Sequence, residues 1–414
     1  MKKYGILLSS FLIFLGCIFG TACRSSRNQV TADPVSSPST VSEGNRLFAL
    51  SFFGQAVPDN ENFVFSPYSI SAAMSMVYAG AGGNTATQME QVLHFPPLSP
   101  EVFRQFHDLN NALASSDSAV SLNIANSLWI QEKYDVLPGF AGIMKDEYDA
   151  PARLVDFISA PAREKARGQI NSWTSERTGD RIREILPPNT LTENTRLVLT
   201  NALYFKGAWL NTFSKAQTRP APFYKKDWTT VQASFMHATS NIRFFSSDTL
   251  RAVSLPYEAQ KYSMLLILPE GKWTVESLLP RLNETLISRI LAGQVHQSVD
   301  LSLPKFEINT SLNVKEYLMK MGLTEPFELT ADLSGITGNK ELKVDDVLHK
   351  AFIEVNEEGT EAAAATAVTI GLKAAYPGEP VRFNADHPFI FLLRESRTGT
   401  VLFAGVVYDP TAGK

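Results

Sequence analysis

An α+β domain is the fold class that this sequence predicts, and three observations predict it. Amphipathic helical patterns come first, at about 41–56, 68–80 and 161–176, with apolar residues at the three- and four-residue spacing of a single helix face. Strand-like runs rich in β-branched and aromatic residues follow and dominate the second half, as in Val198–Phe205, Ser263–Leu268 and Ser298–Phe306. After about Val41 no second linker, charge block or repeat interrupts the pattern, so one domain over 41–414 is the simplest organisation. With 414 residues, 44% of them hydrophobic and 19% charged, the chain is long and apolar enough to bury a large core.

The amino terminus reads as an export signal. Lys2 and Lys3 precede an apolar run from Ile6 to Phe19, too short to be preferred as a spanning helix, and small residues follow. Phe19-Gly20-Thr21-Ala22-Cys23 resembles a bacterial lipoprotein signal, which implies a signal peptide over 1–22 and lipid attachment at Cys23. Cys17 fits the pattern less well, because cutting there leaves Ile18 and Phe19 outside. Residues 23–40, rich in Ser, Thr and Pro, read as a disordered tether. Fully extended, it reaches on the order of 60 Å. The expected location is therefore the bacterial outer membrane or cell surface. Both cysteines, Cys17 and Cys23, fall in the signal region, so the domain has no thiol for a disulfide, a metal or catalysis.

Within the domain, the last stretch predicts a buried hairpin, Phe389–Leu393 against Val401–Val407, joined through Arg397-Thr398-Gly399. A formal net charge of −4 carries no nucleic-acid signature, and the basic spots at Lys225-Lys226 and at 163–167 are short. No Gly-x-Ser-x-Gly elbow, phosphate loop, dinucleotide fingerprint or His-Glu-x-x-His helix occurs. The six histidines, His94, His107, His237, His296, His349 and His387, lack metal-ligand spacing. The acid pairs Asp345-Asp346 and Glu357-Glu358 are adjacent in sequence, which favours solvated turns over acid–base pairs. The expectation is a protein without catalytic residues, metal or cofactor. A serine hydrolase assembled from distant residues has no positive sign in its favour.

The most informative stretch is 356–370, because its residues read as linker, helix and strand at once. Gly359 supplies backbone freedom, Ala362–Ala365 favour helix, and Val368, Thr369 and Ile370 favour a strand. Such a mixture points to a segment that changes structure, with an Ala-rich surface helix as the alternative. Written as a strand, it places Thr360, Ala362, Ala364 and Thr366 on one face, all of them small.

From His349 to Thr366 this region resembles the hinge of the serpins, and other motifs agree in order. Asn62–Ile70 resembles the start of that family's helix B, Thr200–Trp209 the third strand of its sheet A, and Phe383–Phe389 the signature after its reactive loop. The resemblance implies a serpin fold with three β-sheets, eight or nine helices and an exposed reactive-centre loop. It implies a hydrogen-bonded shutter of Ser66, Ser69, Asn201 and His349, with Trp209 at the breach where the loop enters. The same residue types also serve ordinary packing and capping; Ser66 before Pro67 is a helix start in its own right.

The resemblance further implies inhibition. A protease attacks the loop, becomes acylated and is trapped as the cleaved loop inserts into sheet A. Glu357, Gly359, Thr360, Glu361, Ala362, Ala363, Ala364, Ala365 and Thr366 form the implied hinge, small where they face inward. Counting fourteen residues from Gly359 sets Lys373 and Ala374 about the reactive bond, with Leu372 and Tyr376 as alternatives in a shifted register. Lysine there suits a trypsin-like pocket. The implied partner is a serine protease held covalently, with cysteine proteases left open as a further class, and the inhibitor itself is a monomer. The alternative is a non-inhibitory serpin acting as a binding or chaperone-like surface protein.

Overall fold

The computed structural model describes residues 38–113, 120–258, 260–360 and 379–413. Thr40 caps the first helix, its hydroxyl accepting from the Glu43 amide, and α1 runs Val41–Ala56. A short strand β1 (Phe63–Phe65) leads to α2 (Pro67–Tyr78), capped by Ser66 with Pro67 in the first turn, and every residue of α2 is buried. A helix buried all round belongs at the centre of a large molecule. Next come α3 (Gly83–Leu93), α4 (Pro100–Leu113), β2 (Val120–Gln131), α5 (Pro138–Asp146), β3 (Arg153–Val155) and α6 (Ala160–Arg177).

The remainder is richer in strands: β4 (Leu197–Ala208), β5 (Arg219–Tyr224), β6 (Thr230–Ser246), β7 (Leu250–Pro256) and β8 (Tyr262–Pro269). Then follow α7 (Val275–Leu278), α8 (Glu284–Gly293), β9 (Val295–Pro304), β10 (Phe306–Asn313), α9 (Val314–Lys320) and α10 (Ser334–Thr337). The chain continues through β11 (Asp346–Val355), β12 (Gly359–Thr360), β13 (Val381–Asn384), β14 (Phe389–Glu395) and β15 (Val401–Val407).

These strands form two networks where three sheets were expected. The larger runs β1-β15-β14-β8-β7-β6-β9-β13, with β5 also on β6; the smaller runs β10-β11-β12-β4-β2-β3. The count falls because β6 continues unbroken for 17 residues, pairing with β5 at its start, with β9 along its middle and with β7 at its end. Eight helices of seven or more residues, plus two of four, occur among the described residues. The run expected over 298–306 is not one strand. It breaks at Lys305, whose amide donates to Ser234 O (2.9 Å), and β9 and β10 belong to different networks.

The terminal hairpin forms as its apolar pattern predicts: β14 and β15 pair antiparallel, all of β15 is buried, and Gly399 turns the chain at φ +75. In the smaller sheet, alternation divides β4 between two cores. Leu197, Leu199, Leu203 and Phe205 face the main core, whereas Val198 and Ala202 join Trp129, Ala166 and Ile170 in a second core beneath α6. Buried on both faces, β4 reads as a nearly continuous apolar run.

Candidate functional site

The centre of the smaller sheet carries a seam. β4 and β11 pair in parallel from Asp346 with Val198 to Ala351 with Leu203. Beyond that point they part, and Gly359–Thr360 stands between them. Thr360 pairs with Val355 on one side and Gly207 on the other, and Gly359 pairs with Ala208, all antiparallel. β12 is therefore the first step of a strand that would be antiparallel to both neighbours. Parallel pairing is slightly the less stable arrangement per residue, so the β4–β11 seam is the sheet's natural line of separation.

A tight turn delivers β12 to this position. Asn356 N donates to Gly359 O (2.9 Å) and Gly359 N back to Asn356 O (3.3 Å), leaving Glu357 and Glu358 at the tip. The Asn356 side chain accepts from the Glu358 and Gly359 amides at 3.0 and 3.3 Å. Gly359 sits at φ +155, and an added Cβ would overlap the Gly207 carbonyl oxygen. Only glycine fits there.

Trp209 seals the turn. Its indole N–H donates to Asn356 O at 3.0 Å, its amide donates to Glu358 O at 3.0 Å, and its ring stacks on Tyr257 with centroids 4.5 Å apart. The Tyr257 hydroxyl meets Thr360 Oγ1 at 2.6 Å; burial pushes its ionisation up, so this phenol stays protonated and bonded.

The two glutamates tie the turn to the surrounding strands. Glu357, only 5% exposed, bonds Lys305 Nζ (2.9 Å) and the Thr218 hydroxyl (2.9 Å). Burial works against its charge, but these partners outweigh burial and hold the carboxyl below its usual range. Glu358 pairs with Lys215 at 2.6 Å. The expected solvated turn is thus corrected, because buried Glu357 is compensated by Lys305 from the β9–β10 crossover. Asp345-Asp346 departs from that expectation too. Both are half-buried around the start of β11, Asp345 accepting from the Arg196 and Leu197 amides and Asp346 from Asn313.

Deeper along the seam, four elements share one polar network. His349 on β11 accepts the Ser66 amide at Nε2 (3.0 Å), so its proton sits on Nδ1, which donates to Asn201 Oδ1 on β4 (2.7 Å). Asn201 Nδ2 donates to Ser69 O on α2 (2.6 Å) and to Asn126 Oδ1 on β2 (2.5 Å). Full burial lowers the imidazole to about 3, which keeps it neutral. Ser66, Ser69, Asn201 and His349 therefore come together, but Ser69 joins through its backbone, its buried hydroxyl having no partner among the described residues.

Asn126, Tyr257, Lys305 and Asn356 complete these contacts and carry no local sequence signal apart from the Asn of a turn. Glu361, Ala362, Ala363, Ala364, Ala365, Thr366, Leu372, Lys373, Ala374, Tyr376 and Cys23 lie outside the described residues. Among the described residues, no three His, Cys, Asp or Glu side chains are placed to hold a metal ion. Among the described residues the site brings together a strand edge, a tight turn and a buried polar network along one seam of the sheet.

Comparisons with known proteins bear on this arrangement. A family model described as Serpin (serine protease inhibitor) matches residues 43–410. An uncharacterised serpin-like protein of Thermococcus kodakarensis is 38% identical, with all of both chains covered. Leukocyte elastase inhibitor of Bos taurus is 36% identical over 89% of this chain and 99% of its own. The structure of uncleaved ovalbumin superposes with a TM-score of 0.82 at 29% identity, covering 90% of this chain and all of that one.

Proposed function

The chain belongs to the serpin family, and from that premise we propose that it is an inhibitory member that traps serine endopeptidases as covalent acyl-enzymes. One observation carries the reading: Gly359 and Thr360 are already strand-paired between β11 and β4, with Thr360 buried. Were the chain to continue as a strand, alternation would put Ala362, Ala364 and Thr366, all small enough to enter a packed sheet, on that same face and Glu361 on the other. The similarity to a leukocyte elastase inhibitor supports the same reading.

In the proposed reaction the protease's serine oxygen adds to the carbonyl carbon of Lys373. The Lys373–Ala374 peptide bond breaks, Ala374 leaves as a free amine with the proton relayed by the protease's own base, and an ester joins the two proteins. Residues from 361 to the new end then enter the seam, exchanging the parallel β4–β11 pairing for antiparallel pairing on both sides. Insertion must outrun water's attack on the ester, so the inward face has to be small. Leu372 and Tyr376 would serve proteases with apolar pockets. Lipid attachment at Cys23 would present the trap at the cell surface on its tether.

Incubation with trypsin followed by a denaturing gel tests the proposal. A detergent-stable complex, whose acyl fragment ends at Lys373 by mass spectrometry, is expected. Clean cleavage with full return of trypsin, chymotrypsin and elastase activity would overturn it in favour of a non-inhibitory binding protein.

A further inference from the structure

The hairpin between β5 and β6 carries a side chain that the fold does not require. Trp228 N donates to Lys225 O (2.9 Å) and Lys225 N to Thr229 O (2.8 Å), closing a β-turn followed by a residue at φ +63. That is the bulge position where glycine is usual. Here it holds a tryptophan, 81% exposed and outside both cores. A bulky residue in the left-handed region costs about 1–3 kcal/mol, and such outliers concentrate at functional sites. The strain is also held in place, because Asp227 Oδ1 accepts from both the amide and the hydroxyl of Thr229.

Trp228 borders a cleft of about 390 Å³ together with Tyr224, Trp273, Lys226, Glu270 and Asp386. The volume falls in the range of small-molecule sites. Its walls are fastened to one another before any ligand arrives. Tyr224 N donates to Asp386 O (2.7 Å), and His387 bridges Asp386 Oδ1 (2.8 Å) and Pro269 O (3.0 Å). Arg281 lies over the Trp273 ring, 4.8 Å from its centroid.

Charge narrows the ligand class. Lys226 pairs with Asp59 and Glu276, Lys225 with Asp409, Glu270 with Arg251, and Asp386 with His387. Only exposed Lys272 lacks a carboxylate partner among the described residues lining the cleft. An ionic ligand therefore meets little uncompensated charge. What the cleft offers is exposed aromatic surface beside carboxylates and an ammonium that retain hydrogen-bonding capacity. We propose that this cleft binds a neutral saccharide of one or two pyranose rings, its C–H face stacked on Trp228 and Tyr224 and its hydroxyls bonded to Glu270, Asp386 and Lys226.

The test uses the intact protein with cellotriose, maltotriose, mannotriose and chitotriose, followed by tryptophan fluorescence and calorimetry. At least one is expected to bind saturably. Trp228→Gly, which removes the indole and relieves the backbone, should weaken that binding at least tenfold. Its thermal midpoint should be unchanged or raised and its trypsin complex yield unchanged, which separates this site from the inhibitory one. Absence of binding by all four sugars up to about 10 mM, or equal binding by Trp228→Gly, would overturn the proposal. So would Trp228-dependent binding to phosphatidylcholine vesicles without any sugar response, which would assign the indole to a membrane surface.

Discussion

His349 locks the seam as a neutral ring that accepts from α2 and donates to β4, and that state sets a pH dependence. The unfolded chain takes up a proton at His349 below its ordinary value of 6.5, whereas the buried ring does so only near 3. Its contribution is therefore complete above pH 6.5 and is lost as pH falls toward 3, at up to about 1.4 kcal/mol per pH unit. His387 acts in the opposite sense, since its bonds to Asp386 and Pro269 outweigh burial and raise it. Comparison with His349→Gln isolates the first effect: between pH 7.5 and 5 the thermal midpoint of the wild type should fall more steeply than that of the variant. Equal slopes would show that the ring does not titrate with unfolding. Gly359→Ala is predicted to cost about 1–3 kcal/mol and to free β12, read as faster hydrogen exchange at Thr360 and lower thermal stability. The importance of glycine at 359 was legible in sequence only as freedom. Its cause, the Gly207 carbonyl, comes from a strand about 150 residues earlier in the chain.

At the scale of the element, β12 is two residues paired with both β11 and β4, and under the proposed function the residues after it would extend that pairing. Thr360→Arg puts a long cation at a position only 1% exposed, against the Tyr257 hydroxyl. Insertion should slow, so the number of inhibitor molecules consumed per trypsin trapped is expected to rise at least about tenfold, a barrier change near 1.4 kcal/mol. Titration of residual trypsin activity measures it, and an unchanged ratio would count against entry through this seam. The elements themselves were unequally legible. α1 and the terminal hairpin were readable because a cap, a period and a turn lie within a few residues of each other. The run 298–306 was not, because its break at Lys305 is a crossing between two sheets, and a continuous apolar alternation does not show which sheet each half joins.

For the whole molecule, the proposed function makes the native arrangement incomplete: β4 and β11 pair in parallel where an added strand would pair with both. Cleavage of the loop is expected to raise the thermal midpoint by at least about 10 °C, since each kcal/mol of added stability moves the midpoint of a large domain by a few degrees. Calorimetry before and after limited proteolysis checks this, and an unchanged midpoint would mean that the loop stays out. A Cys23→Ser form should likewise lose lipid labelling and detergent partitioning if the anchor is as proposed. By itself the sequence determined the α+β class and the family resemblance, because these rest on composition, short periods and motifs carried within local segments. Only the tertiary structure decided that Gly359 and Thr360 are already paired, that Lys305 neutralises Glu357, and that His349, Asn201 and Asn126 form one hydrogen-bonded network across gaps of 148 and 75 residues. The reason is physical: a hydrogen-bond partner or a strand register is chosen by distance in space, and neither leaves a mark on the neighbouring residues of the chain.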